Sequence, residues 1–267
     1  MLRRSLLIAA ATLALAACGQ GADKADDGTG PLVVGATAVP HAEILEFLAP
    51  SLAEAGTPIE VRVFNDYVQP NTQLVEGGLD ANYFQTKPYL DEFNAARGAT
   101  LVTVAGIHVE PLGAYSRRFQ TLAALPDGAD VAIPNDASSV GRSLILLQTA
   151  GLIRLADPTN PSQSLRDITE NPKNLRFREL ESATLPRVLD QVDMAVINTN
   201  YALDAGLNPR EDALTIEGGD SPYVNYLVTR AEDQNDPRVQ ALATALRSQA
   251  VKDFIAEKYD GAVIPAA

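Results

Sequence analysis

One cysteine in an exported chain limits what can hold the fold together. Cys18 is the only cysteine among 267 residues. It follows Met1-Leu2-Arg3-Arg4 and an apolar run from Ser5 to Ala17 that ends Leu15-Ala16-Ala17. A basic start, a short apolar centre and small residues before a cut site describe a secretory leader over residues 1–17. The run is too short for the roughly 20 residues that a bilayer-spanning helix needs. With no second cysteine, no disulfide can form within the chain. The exported body must rely on packing alone.

That body has the means. Hydrophobic residues make up 46% of the sequence, an ordinary share for a chain with a real core. Its length allows one large domain or two modest ones. Loss of the leader removes two arginines and moves the formal charge from −13 to −15. Phosphate backbones repel such a chain, which makes nucleic acid a poor partner. Two histidines, His41 and His108, and no second cysteine argue against a zinc site or a Cys/His nucleophile pair, so no metal and no cofactor are expected. No Gly-x-Ser-x-Gly elbow occurs. His41 reads as a solvated first-turn residue and His108 as structural. Binding without catalysis is the expectation.

Residues 18–30, almost without apolar content, read as a flexible tether. Strand and helix patterns then alternate. Leu32 to Ala36, Ile59 to Phe64, Asp80 to Phe84, Leu101 to Val104 and Val109 to Tyr115 are strand-like. Between them, helical spacing covers about 40–54, 70–76 and 86–97, with Thr86 a possible cap. The pattern repeats with strands at 130–133, 175–180, 194–197 and 223–228. Its helices are at about 139–150, capped by Ser138 or Ser139, and at 184–189, 237–247 and 251–259. This order predicts an α/β protein of two lobes, each a mixed sheet flanked by helices. Two hinge strands, near Val109–Tyr115 and Tyr223–Arg230, would cross between them. Residues 31–111 with 229–267 form the first expected lobe and 112–228 the second. A ligand would occupy the cleft between the lobes.

Several segments carry a resemblance. They are Phe64-Asn65-Asp66-Tyr67-Val68, Asp80-Ala81-Asn82-Tyr83-Phe84-Gln85, Lys87-Pro88-Tyr89-Leu90, Pro134-Asn135-Asp136, Gly141-Arg142-Ser143-Leu144, Ala195-Val196-Ile197-Asn198-Thr199 and Ser221-Pro222-Tyr223-Val224-Asn225. In this order, behind a Leu-Ala-Ala-Cys ending that resembles a bacterial lipobox, the chain is similar to the methionine-binding lipoproteins of the MetQ/NlpA type. The resemblance implies a periplasmic-binding-protein fold and an amino-acid ligand, L-methionine first. It also implies partnership with an ABC permease and its ATPase. Cys18 would carry a lipid such as palmitate that anchors the protein to a membrane, facing the periplasm or the cell exterior.

An amino acid presents a carboxylate, an ammonium and a side chain. A buried carboxylate needs a cation with directed donors, and arginine offers a fork. Arg142, expected in the first turn of its helix, is the candidate, with free backbone N–H groups nearby. The resemblance places Asn135, Asn198 and Asn225 around the polar end of the ligand. Asn225 within a predicted strand is an unusual placement for asparagine. Tyr67, Phe84 and Tyr89 would wall a dry pocket for the thioether, which gains from aromatic contact. Where the resemblance implies a histidine, this chain has Thr86. That substitution keeps D-methionine, a methionine derivative or another neutral amino acid open as ligands. An adhesin or interaction lipoprotein without a small ligand is the alternative of another class.

Overall fold

The computed structural model describes residues 30–219 and 221–266. The leader, Cys18 and residues 18–29 of the expected tether lie outside the described residues. No helix among the described residues is long and apolar enough to cross a membrane.

The chain begins with β1 (Leu32–Thr37), α1 (Glu43–Glu54), β2 (Ile59–Phe64), α2 (Gln69–Val75), β3 (Ala81–Thr86), α3 (Lys87–Arg97) and β4 (Leu101–Val109). It continues through β5 (Gly113–Tyr115), β6 (Asp130–Pro134), α4 (Ala137–Thr149), β7 (Arg154–Leu155), β8 (Ile168–Glu170), β9 (Arg176–Leu180), α5 (Leu185–Val188), β10 (Met194–Ile197), α6 (Thr199–Asp204), α7 (Pro209–Asp212) and β11 (Ala213–Ile216). It closes with β12 (Val224–Arg230), α8 (Pro237–Leu246), α9 (Gln249–Tyr259) and β13 (Ile264–Pro265).

Two mixed sheets result. The first has the order β13-β4-β12-β3-β1-β2, and the second β11-β5-β10-β6-β9. In the first, β1 runs parallel to β2 and β3, while β12 inserts antiparallel between β3 and β4. In the second, β6 runs parallel to β9 and β10, and β5 is antiparallel to β10 and β11. Each sheet has its own core. Ile44, Leu45, Leu48 and Leu52 of α1 are buried with Val239, Leu242 and Leu246 of α8 against β1, β3 and β12. In the second lobe, Val140, Leu144 and Leu147 of α4 pack on Val131, Ile133, Met194 and Val196. The apolar stripe at helical spacing that marked these helices is therefore the face they bury.

Differences from the sequence reading have local causes. The expected strand 109–115 is two strands, because Pro111 between them has no N–H for a ladder. Conversely, β4 runs unbroken from Leu101 to Val109, through the gap between the expected strands 101–104 and 109–115. A Cβ on Gly106 would lie 3.0 Å from Val224 Cγ1 and 3.2 Å from Tyr226 Cε1, so the bare backbone admits β12. Val224–Val228, expected at the end of the second lobe, pair with β3 and β4 of the first sheet. Asp136, not Ser138 or Ser139, caps α4: its side chain accepts the Ser139 N–H at 2.8 Å. Arg142 accordingly sits in the second turn.

Among the described residues, the chain passes between the sheets over 110–112 and again between Ile216 and Val224.

Candidate functional site

A cavity opens between the two sheets. It holds about 480 Å³ of space free of protein atoms, open solvent included. Seven of the eight expected ligand residues line it: Tyr67, Phe84, Thr86, Tyr89, Arg142, Asn198 and Asn225. Asn135 does not. It is exposed between Pro134 and the helix cap Asp136.

One end is aromatic. The rings of Tyr67, Phe84 and Tyr89 form a triangle with centroids 5.7–5.9 Å apart. Tyr89 Oη donates to the Tyr67 carbonyl at 2.9 Å, fixing the corner. Burial pushes both phenol groups well above their ordinary pKa, so they stay neutral. Thr86 occupies the N-cap position of α3, yet its hydroxyl caps nothing, and the side chain is left to the cavity wall.

The other end is polar. Arg142 is buried, with 6% of its surface exposed. Its Nε donates to Glu217 Oε1 at 2.8 Å, and Nη2 donates to Glu217 Oε2 at 2.5 Å and to the Glu110 carbonyl at 2.7 Å. The guanidinium lies 4.2 Å from the Tyr223 ring centroid. A bidentate carboxylate and a ring face leave the fork little freedom. Nη1 has no hydrogen-bond partner among the described residues. Asn198 holds the N-cap position of α6 without capping it, and its buried Oδ1 has no partner. A donor and an acceptor thus stand ready in one cavity.

Beneath them lies a network that sequence reasoning missed. His41, expected in solvent, is 1% exposed, and His108 is fully buried. Both Nε2 atoms meet Glu110 Oε1, at 3.2 and 2.8 Å. His41 Nε2 is also 3.1 Å from Asn225 Oδ1. The far nitrogens face hydroxyls: His41 Nδ1 that of Thr37 at 2.8 Å, His108 Nδ1 that of Tyr83. A neutral ring with its proton on Nε2 fits both places: His108 then donates to Glu110 and His41 to Asn225, while each Nδ1 accepts from its hydroxyl. Burial favours that neutral state, lowering His41 to about 4 and His108 to about 3. It raises the Glu110 carboxyl, while His41, Arg142 and the Asn200 N–H oppose that rise. The three side chains bring ligand-type atoms within 4.8 Å of one another, a spacing a metal could bridge. Every one of those atoms already has a hydrogen-bond partner.

Contacts between the lobes ring the cavity. Tyr67 Oη donates to Asn200 Oδ1 at 2.6 Å, and the Asn200 N–H donates to Glu110 Oε2 at 2.9 Å. On the opposite rim, the Glu92 carboxylate accepts from the Ala137 and Ser138 N–H groups. Of these residues only Glu110 carried a usable sequence signal: a carboxylate set between an apolar strand and a proline at the expected crossing.

Comparison with known proteins gives this geometry its setting. The sequence model of the NlpA lipoprotein family matches residues 32–267. The D-methionine-binding lipoprotein MetQ of Escherichia coli K12 is 41% identical over 255 residues, covering 95% of this chain and 93% of that protein. The methionine-binding lipoprotein MetQ of Bacillus subtilis is 39% identical over 256 residues, covering 94% and 93%. Among solved structures, a nutrient binding protein from Burkholderia cenocepacia bound to methionine superposes with a TM-score of 0.85 at 44% identity, covering 88% of this chain and 100% of that one. A periplasmic substrate-binding protein of an ABC transporter from Coxiella burnetii gives 0.84 at 41% identity, covering 88% and 100%. The two-lobed α/β architecture is that of periplasmic substrate-binding proteins.

Proposed function

The chain belongs to the NlpA lipoprotein family, and from that premise we propose that it captures methionine between its lobes and delivers it to an ABC importer. One observation carries the reading. One cavity offers an arginine Nη1 and a buried amide oxygen, Asn198 Oδ1, neither with a partner among the described residues, beside an aromatic triangle. Those are the counterparts of a carboxylate, an ammonium and a thioether side chain. Arg142 holds the acid end, Asn198 and Asn225 the amine, and Tyr67, Phe84 and Tyr89 the side chain, with Thr86 on the wall. Asn135, exposed, is left out of the site. The names of the relatives, methionine-binding and D-methionine-binding, support the ligand class.

Residues 31–109 with 224–266 act as one lobe and 113–216 as the other, bending at 110–112 and 217–223. Cys18 carries the lipid, and the body faces the periplasm or cell exterior, where it meets a permease with its ATPase. Capture proceeds without turnover. Both histidines are held in a buried network by Asn225 and Glu110.

Calorimetric titration of the ligand-stripped protein with L-methionine and D-methionine tests the proposal. Saturable binding of at least one isomer is expected, with about 4 kcal/mol of added stability at a thousandfold excess over the dissociation constant. Silence with both isomers would refute it.

A further inference from the structure

Charge in the cleft does not cancel. Arg142 and Glu110 are the only ionisable Arg, Lys, Asp or Glu side chains on the cavity wall among the described residues. Arg142 is already matched: Glu217 takes both its Nε and its Nη2. Glu110 is not, for Arg142 reaches only its backbone carbonyl. The hydrogen bonds to the Glu110 carboxylate come from uncharged groups, the His108 imidazole and the Asn200 N–H, with the His41 ring 3.2 Å away. Two carboxylates therefore share one guanidinium, and one buried negative charge remains. Glu92 and Asp136 at the rim add to it, Glu92 accepting from the Ala137 and Ser138 N–H groups and Asp136 from the Ser139 N–H and the Ser138 and Ser182 hydroxyls. Buried charge is normally balanced by an opposite charge, because neutral hydrogen bonds only partly replace water. In a site shielded from water such a charge acts over several ångströms without direct contact.

Resting on the reading of this cleft as an amino-acid site, we infer that Glu110 makes the ligand's amino group its indispensable handle. The acid group is the lesser one, since Glu217 has neutralised its arginine in advance. The receptor therefore separates an α-amino acid from its α-hydroxy analogue more sharply than it separates the acid from its amide. A ligand whose carboxylate is blocked, as in an amide or at the first residue of a short peptide, keeps most of its electrostatic attraction. A ligand without the amine does not.

The test is competitive calorimetry on the stripped protein with three probes. They are L-methionine, L-2-hydroxy-4-(methylthio)butanoate and L-methioninamide, at a pH where the amine of the amide is protonated. The hydroxy acid should bind roughly 30-fold or more weaker than methionine, the lower bound for stripping one partner from a buried charge pair. The amide should lose less than the hydroxy acid. Glu110→Gln should narrow the gap between amine and hydroxyl, and Glu217→Gln should widen the gap between acid and amide. Should Glu110→Gln fail to fold, the three probes on the unmodified protein decide alone. A hydroxy acid that binds as well as methionine, or better than the amide, overturns the role of Glu110 and leaves the methionine assignment standing. Failure of methionine itself to bind overturns that assignment instead.

Discussion

Glu92 and Ser138 belong to opposite lobes, and the carboxylate of the first accepts the backbone N–H of the second at 3.0 Å. The other Glu92 oxygen takes the Ala137 N–H at 3.2 Å. With Asp136 on the Ser139 N–H, three of the free N–H groups that open α4 are satisfied, two of them by a residue from across the cleft. A carboxylate at a helix start also gains from the helix dipole. This cap exists only when the lobes are together. Glu92→Ala is expected to weaken ligand binding by about 0.5–2 kcal/mol, the usual worth of such a cap, with the far-ultraviolet circular dichroism unchanged. Equal affinities by calorimetry would mean the contact does not favour closure.

Arg142→Ala removes the donor to the acid end and strands Glu217, 14% exposed, without its partner. Ligand affinity should fall by about 2–5 kcal/mol. The unliganded protein should also melt earlier, because a half-buried carboxylate loses its cation and keeps only the Leu112 N–H and the Ser221 hydroxyl. Calorimetry and thermal melts separate the two effects. Unaltered affinity would take Arg142 out of the site.

Gly141 precedes that arginine where a loop crosses α4. A Cβ there would fall 1.9 Å from the Pro161 carbonyl oxygen and 3.2 Å from the Gln163 nitrogen. Backbone cannot swing aside as a side-chain tip can. Gly141→Ala should therefore cost about 1–3 kcal/mol of stability, as overpacking does. It should also reduce affinity by displacing the turn that carries Arg142. A melt identical to the parent would show that the 157–163 loop yields freely.

The buried histidines make stability fall in acid. Unfolded imidazoles take up protons below about 6.5, whereas the folded rings resist until about 4 for His41 and about 3 for His108. Between those values the unfolded chain binds more protons, so stability is full above pH 6.5 and drops as pH falls through 4 toward 3. At about 1.4 kcal/mol per pH unit, His41 alone accounts for about 3 kcal/mol. Glu110, whose carboxyl is raised by burial, offsets part of this. His108→Asn should show a shallower decline in melting temperature from pH 7 to 4. A slope equal to the parent's would rule out His108 as a source.

Periodicity made the architecture legible. Apolar spacing in α1 and α4 and the short apolar runs of β1, β6 and β10 correspond to the elements found, and they place the two cores. Pairing across distance was not legible. Nothing local reveals that β12 inserts between β3 and β4, or that Gly106 keeps β4 straight by admitting it. The same limit applies to the site. Arg142 could be named because a carboxylate needs a cation with directed donors, Asn225 because asparagine is unusual within a strand, and Asn198 from the family resemblance. His41 looked like an ordinary first-turn residue because its partners, Asn225 and Glu110, lie far along the chain. Asn135 shows the reverse error: a polar residue in a familiar motif that the turn into α4 leaves in solvent.

Arg142 is bonded to both segments that join the lobes, to Glu110 in one and Glu217 in the other. A point beside the axis of a rotation travels little, while points at the rim travel far. For lobes that turn about these two segments, the guanidinium would keep its place while the aromatic wall sweeps toward it. A guest can settle beside the fulcrum first, and be enclosed afterwards.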